Sequence, residues 1–287
     1  MLAVLFDSPT IAELANVLRQ EEHVSNWSPL VLIKAGKDRS PLFCIHPIGG
    51  NLFNYYNLSK KIELDRAIYG LQARGLDGKQ QPLDRVEDMA DDFIQAIQKI
   101  QPDGPYFLLG YSFGGIIAFE MARQLVSQGK EVAFLGLLDI RCPLIPEINA
   151  PFFERLDLRL NKLQKLSREG QIKYFIEKLI YRRKPDYRSE IVSTLCDLDM
   201  FTPELLNILD RNIKAKNNYQ PQVYLGTVNL FWSEYHSNYI DRYPDLGWGD
   251  LIAGDLKIHH IPGDHTTLMK EPHVLVLAEK LEAMIGN

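Results

Sequence analysis

The chain has 287 residues, 46% of them hydrophobic, a net charge of −5 and a pI near 5.8, enough for one large domain with a substantial core plus appendages. The acidic balance gives no electrostatic reason to expect nucleic acid or an anionic membrane as partner. Cys44, Cys142 and Cys196 are far apart, odd in number and without metal-ligand spacing, which fits a reduced, cytoplasmic setting better than a disulfide framework.

In chain order, the apolar start Met1 to Phe6 lacks a basic flank and runs straight into Asp7, so neither secretion nor membrane insertion is expected. Residues 1 to 20 read as an amphipathic helical piece, with Ile11, Leu14 and Leu18 at helical spacing, too short to fold alone. Residues 21 to 30 are polar and mixed, a linker. From Val31 apolar strands alternate with amphipathic helices. Strands are expected at Pro41 to Ile45, Ala67 to Leu71, Tyr106 to Leu109, Val132 to Leu138, Thr227 to Phe231 and Leu256 to Ile261. Helices are expected at Arg85 to Ile100, at Ile116 to Gly129, and at the C-terminus between Pro272 and Gly286. Such alternation predicts an α/β fold, a mostly parallel sheet with helices on both faces.

Residues 143 to 220 break the pattern with consecutive helices, the last of them Pro203 to Asn217, and an all-helical insertion between strands is a lid candidate. Between Pro151 and Glu190 there are eleven Lys and Arg against six acids, a local +5 that leaves −10 on the rest. Either the helices wear a solvated basic face, or this is a docking surface for an acidic, phosphate-bearing partner.

The chemistry concentrates at Gly110-Tyr111-Ser112-Phe113-Gly114, which fits G-x-S-x-G between a strand and a helix. Small residues two positions either side of Ser112 let the chain turn sharply and lift the hydroxyl clear. A serine hydroxyl is a poor nucleophile, so it needs a base held by a third group. Asp139 ends the next parallel strand, and His265 follows the last strand in Pro262-Gly263-Asp264-His265. Both therefore arrive at the carboxyl edge of the sheet beside Ser112, in the order Ser, Asp, His expected of α/β-hydrolases. Asp264 is the rival orienting acid, although adjacent residues rarely point at each other.

An oxyanion hole should combine the Phe113 amide with one from His46-Pro47-Ile48-Gly49-Gly50, the loop after strand Pro41 to Ile45. Pro47 has no N–H to give, which leaves Ile48 as second donor. His46 reads as a brace for that loop, the remaining histidines as structural, and Cys142 as an inert thiol. No metal or nucleotide site is visible.

Together these stretches resemble the thioesterase domains that end nonribosomal peptide synthetases and related polyketide synthases. The resemblance rests on Pro41 to Asn51, Gly110 to Gly115, Leu137-Leu138-Asp139, Tyr219 to Gly226 and Pro262 to His265. It implies an α/β-hydrolase fold over residues 31 to 287 with a lid at about 143 to 220. It also implies a catalytic Ser112, Asp139 and His265, with Ile48 and Phe113 lining the oxyanion hole. The substrate would be a peptidyl or polyketidyl thioester on the phosphopantetheine arm of a carrier domain, released as an acid or a ring, with no cofactor of the enzyme's own.

Leu5 to Ala15 resembles the end of a carrier domain, so residues 1 to 20 are expected to be its remnant and the chain a piece of a larger synthase with that carrier in cis. Three rivals share parts of this pattern: a free-standing editing thioesterase, a general esterase, and a hydrolase-like binding protein without catalysis.

Overall fold

In the computed structural model of the chain, residues 27–145, 202–233 and 243–286 are described. The expected carrier remnant at 1 to 20, the linker up to residue 26 and the stretch 146 to 201 with its basic cluster lie outside them. Apart from Thr202, the described residues fall in one compact unit. No described helix is long and apolar enough to cross a membrane.

The strands are β1 (Leu30–Lys34), β2 (Lys37–Ile45), β3 (Arg66–Leu71), β4 (Tyr106–Tyr111), β5 (Val132–Leu138), β6 (Val228–Ser233) and β7 (Leu256–Ile261). They form one sheet in the order β1-β3-β2-β4-β5-β6-β7. Among the described strands only β1 runs antiparallel to its neighbour, β3, and the other pairings are parallel. The inner strands read as apolar runs because both faces are covered. Leu108, Leu109, Leu135, Leu137 and Leu138 are all fully buried.

On one face lie α1 (Tyr55–Lys61) and α5 (His273–Ile285), whose Tyr55, Leu58, Val274, Leu277 and Leu281 pack with Leu42, Cys44, Leu109, Leu138 and Phe231 of the strands. On the other lie α2 (Val86–Gln98) and α3 (Phe113–Ser127). In α2 a stripe of Val86, Met89, Phe93 and Ile97 is buried while Asp88, Asp91 and Gln95 face solvent, the 3.6-residue signature of a surface helix. In α3 every residue from Phe113 to Ala122 is buried, as befits a central helix covered all round. Each large side chain so buried contributes about 1.5–3 kcal/mol of transfer free energy.

Two differences from the sequence expectation concern boundaries. Ser28 to Leu30, expected to close the linker, is tied to the sheet: the Gln72 amide donates to Pro29 O at 2.8 Å and Gln72 Nε2 to Ser28 O at 2.9 Å. Helix α4 (Pro203–Asn218), counted by sequence with the inserted helices, belongs to the same compact unit as the sheet. Its buried stripe of Ile208, Asn212 and Ala215, continued by Tyr219 beyond its end, packs back onto the body, which is what overrides the sequence grouping.

Candidate active site

Because β4, β5 and β7 run parallel, their C-terminal ends share one edge of the sheet, and the segments leaving them carry Ser112, Asp139 and His265. Ser112 has φ 55 and ψ −129, a strained conformation for a residue with a Cβ. The turn tolerates it because its flanks are glycine: a Cβ on Gly110 would lie 2.1 Å from Gly114 O, and one on Gly114 would lie 2.3 Å from Ile45 O. Strand β4 runs through Gly110 to Tyr111 and α3 starts at Phe113, so the turn is tighter than the expected Leu109 and Ile116 boundaries allowed. The Ser112 amide donates to Leu138 O at 2.9 Å, stitching the elbow to β5.

His265 Nε2 lies 3.0 Å from Ser112 Oγ, and His265 Nδ1 lies 2.7 Å from Asp139 Oδ2. Asp139, at φ 53, has a fully buried side chain, whereas that of His265 is 39% exposed. The second Asp139 oxygen, Oδ1, accepts the Ser233 amide at 2.7 Å from the end of β6. One carboxylate is thus anchored by β6 and faces the imidazole with its other oxygen. Asp264 does not compete: its Oδ1 accepts the Thr266 and Thr267 amides and the Thr266 hydroxyl. Burial works against its charge, but those hydrogen bonds outweigh it and hold the Asp264 carboxyl below the usual range.

Phe113 is the first residue of α3, so its N–H is one of the helix-start donors without an intrahelical acceptor, at the positive end of the dipole. On the other side, the Gly50 amide donates to Pro47 O at 2.9 Å, closing a turn with Ile48 and Gly49 at its centre. His46 also donates from Nδ1 to Pro47 O at 2.8 Å, the bracing role expected for it. Burial pushes the His46 imidazole down to about 4, against the opposing pull of that hydrogen bond, so the ring stays neutral.

Three further residues shape the site and were not singled out in the sequence. Tyr55, on α1, places its hydroxyl between β2 and β4, 2.7 Å from Ile45 O and 3.3 Å from Leu109 O, and accepts the Tyr111 amide at 2.9 Å. Tyr111 stacks on the His265 ring, centroids 5.2 Å apart, and its hydroxyl donates to the His265 carbonyl. Its place inside the G-x-S-x-G motif was the available signal. Asn212, on α4, donates to Ile48 O at 2.8 Å; an asparagine in the apolar stripe of an amphipathic helix was the signal there. Cys142 is buried, which pushes its thiol up. Among the described residues no cluster of His, Cys, Asp and Glu is arranged to hold a metal ion.

Comparison with known proteins agrees with this architecture. The chain is 33% identical to the dimodular nonribosomal peptide synthase of Bacillus subtilis (strain 168), over 98% of this chain but 12% of that protein. A four-domain nonribosomal peptide synthetase bound to AMP and glycine superposes with a TM-score of 0.69 and 26% identity, over 98% of this chain and 22% of that one. The NocB thioesterase domain, captured as a covalent complex with a fluorophosphonate nocardicin G analogue, shares the fold with a TM-score of 0.61 and 24% identity, over 87% of this chain and 96% of that one. This chain therefore spans only a fraction of the length of the synthetases it matches. The family model described as Thioesterase domain matches residues 40–285; by a match running from β2 to the last helix, the chain belongs to the thioesterase domain family.

Proposed function

We propose that this thioesterase releases a peptidyl or polyketidyl chain from the phosphopantetheine thioester of a carrier domain, by way of an acyl group on Ser112. The observation that supports this most is the continuous hydrogen-bonded line from Asp139 through His265 to Ser112 Oγ, at 2.7 and 3.0 Å. His265 Nε2 takes the Ser112 proton as Oγ bonds to the thioester carbon, and Asp139, still ionised, steadies the imidazolium through Nδ1. The carbonyl oxygen gains the charge and is met by the Phe113 and Ile48 amides. As the tetrahedral adduct collapses, its carbon–sulfur bond breaks and the pantetheine thiolate leaves, taking the proton from Nε2 to become a thiol. In the second half, His265 deprotonates water or the chain's own amine or hydroxyl as it bonds to the ester carbon; the bond from that carbon to Ser112 Oγ then breaks, Oγ takes the proton back from Nε2, and an acid or a ring is released.

The relatives, synthetases of which this chain matches a small part, favour a carrier in cis as the source of substrate. The expected remnant at 1 to 20, a linker ahead of the sheet and a lid formed by the inserted helices that precede α4 complete this reading. A cytoplasmic setting belongs to the same reading and is in keeping with the free thiols of Cys44 and Cys142.

The test is to supply one peptidyl group as a pantetheine thioester and as a simple oxygen ester, follow thiol or alcohol release, and weigh the product. The reading expects kcat/KM to favour the thioester. A product lighter than the linear acid by one water marks cyclisation, and the linear acid marks hydrolysis. Faster cleavage of the oxygen ester would instead make the protein a general esterase.

A further inference from the structure

We infer that Asn212 is a positioning residue for the oxyanion donor, fixing the backbone at Ile48 from helix α4. This rests on the reading above, in which the Ile48 amide receives the charge on the substrate oxygen.

Ile48 has two peptide planes. The first carries its N–H, and its carbonyl, Pro47 O, is held by two donors, His46 Nδ1 at 2.8 Å and the Gly50 amide at 2.9 Å. The second carries Ile48 O, and its donor is the side chain of Asn212 at 2.8 Å. With the planes on both sides tied, neither φ nor ψ of Ile48 is free to drift, so the N–H keeps its aim before charge develops on the substrate. Such preorganisation is where hydrogen-bond donors gain their catalytic effect. The loop exit is held as well: Ala73 donates its amide to Gly50 O at 2.8 Å.

Asn212 is 1% exposed, and a buried amide is retained only where its hydrogen bonds are met. Helix α4 is held in place without it. Ile208 packs against Gly50, so closely that a Cβ there would lie 2.7 Å from its Cγ2. Arg211 and Lys214 pair with Asp84 at 2.9 and 2.5 Å, and Tyr219, just past the helix, donates to the buried Glu120 at 2.8 Å. Loss of the amide therefore loosens the loop and not the helix.

The experiment compares Asn212→Leu, close in size but unable to donate, with Leu209→Ala, which removes a buried side chain from the same helix and leaves the Asn212 contact intact. A third protein, Ser112→Ala, controls for the reading itself. For each, kcat and KM for a pantetheine thioester are measured together with Tm, and for the proteins that keep Ser112 also the rate of its phosphonylation by a fluorophosphonate, whose phosphoryl oxygen occupies the oxyanion hole. Asn212→Leu is expected to lower kcat and the phosphonylation rate together by about 10- to 100-fold, less than the roughly 10²–10³ that loss of a whole donor costs, with KM within about twofold. Leu209→Ala should lower Tm with kcat unchanged. If Asn212→Leu fails to fold, Asn212→Ala leaves a gap in place of a clash and is read the same way.

An unchanged kcat in the Asn212 variant, a rise in KM alone, or an equal kcat loss in Leu209→Ala each overturns the inference while leaving Ser112 catalysis standing. Full turnover by Ser112→Ala overturns the reading beneath it as well.

Discussion

One oxygen of Asp139 faces the Ser233 amide at 2.7 Å and the other faces His265 Nδ1 at 2.7 Å. An asparagine there must turn its NH2 towards one of them. Either a buried backbone N–H then faces a donor, or the imidazole is driven to the tautomer that carries its proton on Nε2, where it can no longer accept from Ser112. Asp139→Asn is accordingly expected to cut kcat by about 10⁴-fold, as loss of the orienting acid does in other serine triads. Circular dichroism should meanwhile report an unchanged fold. A variant within tenfold of wild type would show that Asp139 does not orient the base. That Ser112, Asp139 and His265 come together was legible in the sequence, since each follows a strand. The contacts that Tyr111 and Asn212 make around them were not. Tyr111 against His265 spans 154 positions and Asn212 against Ile48 spans 164, and no local pattern encodes a partner so remote.

At the scale of elements, the turn after β2 depends on a neutral histidine. Below its ordinary pKa of about 6.5 the unfolded chain binds a proton on His46, whereas burial makes the folded protein refuse one until about 4. The unfolded state thus holds more protons across that window, so this contribution to stability is whole above about pH 6.5 and is lost as pH falls towards 4. A shift of that size corresponds to roughly 3 kcal/mol. His259, which burial also lowers, adds in the same direction, so the informative comparison is between wild type and His46→Gln. Urea titrations at pH 7 and pH 4.5 should show the wild type losing more stability on acidification than the variant does. Equal losses would mean that His46 is not held neutral by its burial.

Element boundaries were legible where a strand or helix is strongly patterned. β5 and β7 fall where expected, at Val132–Leu138 and Leu256–Ile261. The edge strand β1 and the short helix α1 were not anticipated. Leu30–Lys34 is five residues long and only Val31 in it is fully buried, while Tyr55–Lys61 is seven residues of mixed polarity. Both take their shape from what they lie against, β3 for the first and α5 for the second.

Across the whole molecule, one topological fact made the site readable: in a parallel sheet every strand delivers its next residue to the same edge. Ser112, Asp139 and His265 lie up to 153 positions apart and still meet there. Their meeting follows from the sheet order, with β4 beside β5 and β5 beside β6: Ser112, Asp139 and the Ser233 amide that anchors it leave adjacent strands, while His265 reaches in from beyond β7, the arrangement that the proposed roles of nucleophile, orienting acid and base require. The account's central claim, that the acyl group passes through Ser112, is tested most directly by mixing the protein with a pantetheine thioester of a slowly released acyl group and weighing the intact chain. The account expects the mass to rise by that of the acyl group less one hydrogen, with the increment on the peptide containing Ser112 and absent from Ser112→Ala. An adduct on any other residue, or full thioester turnover by Ser112→Ala, would contradict it.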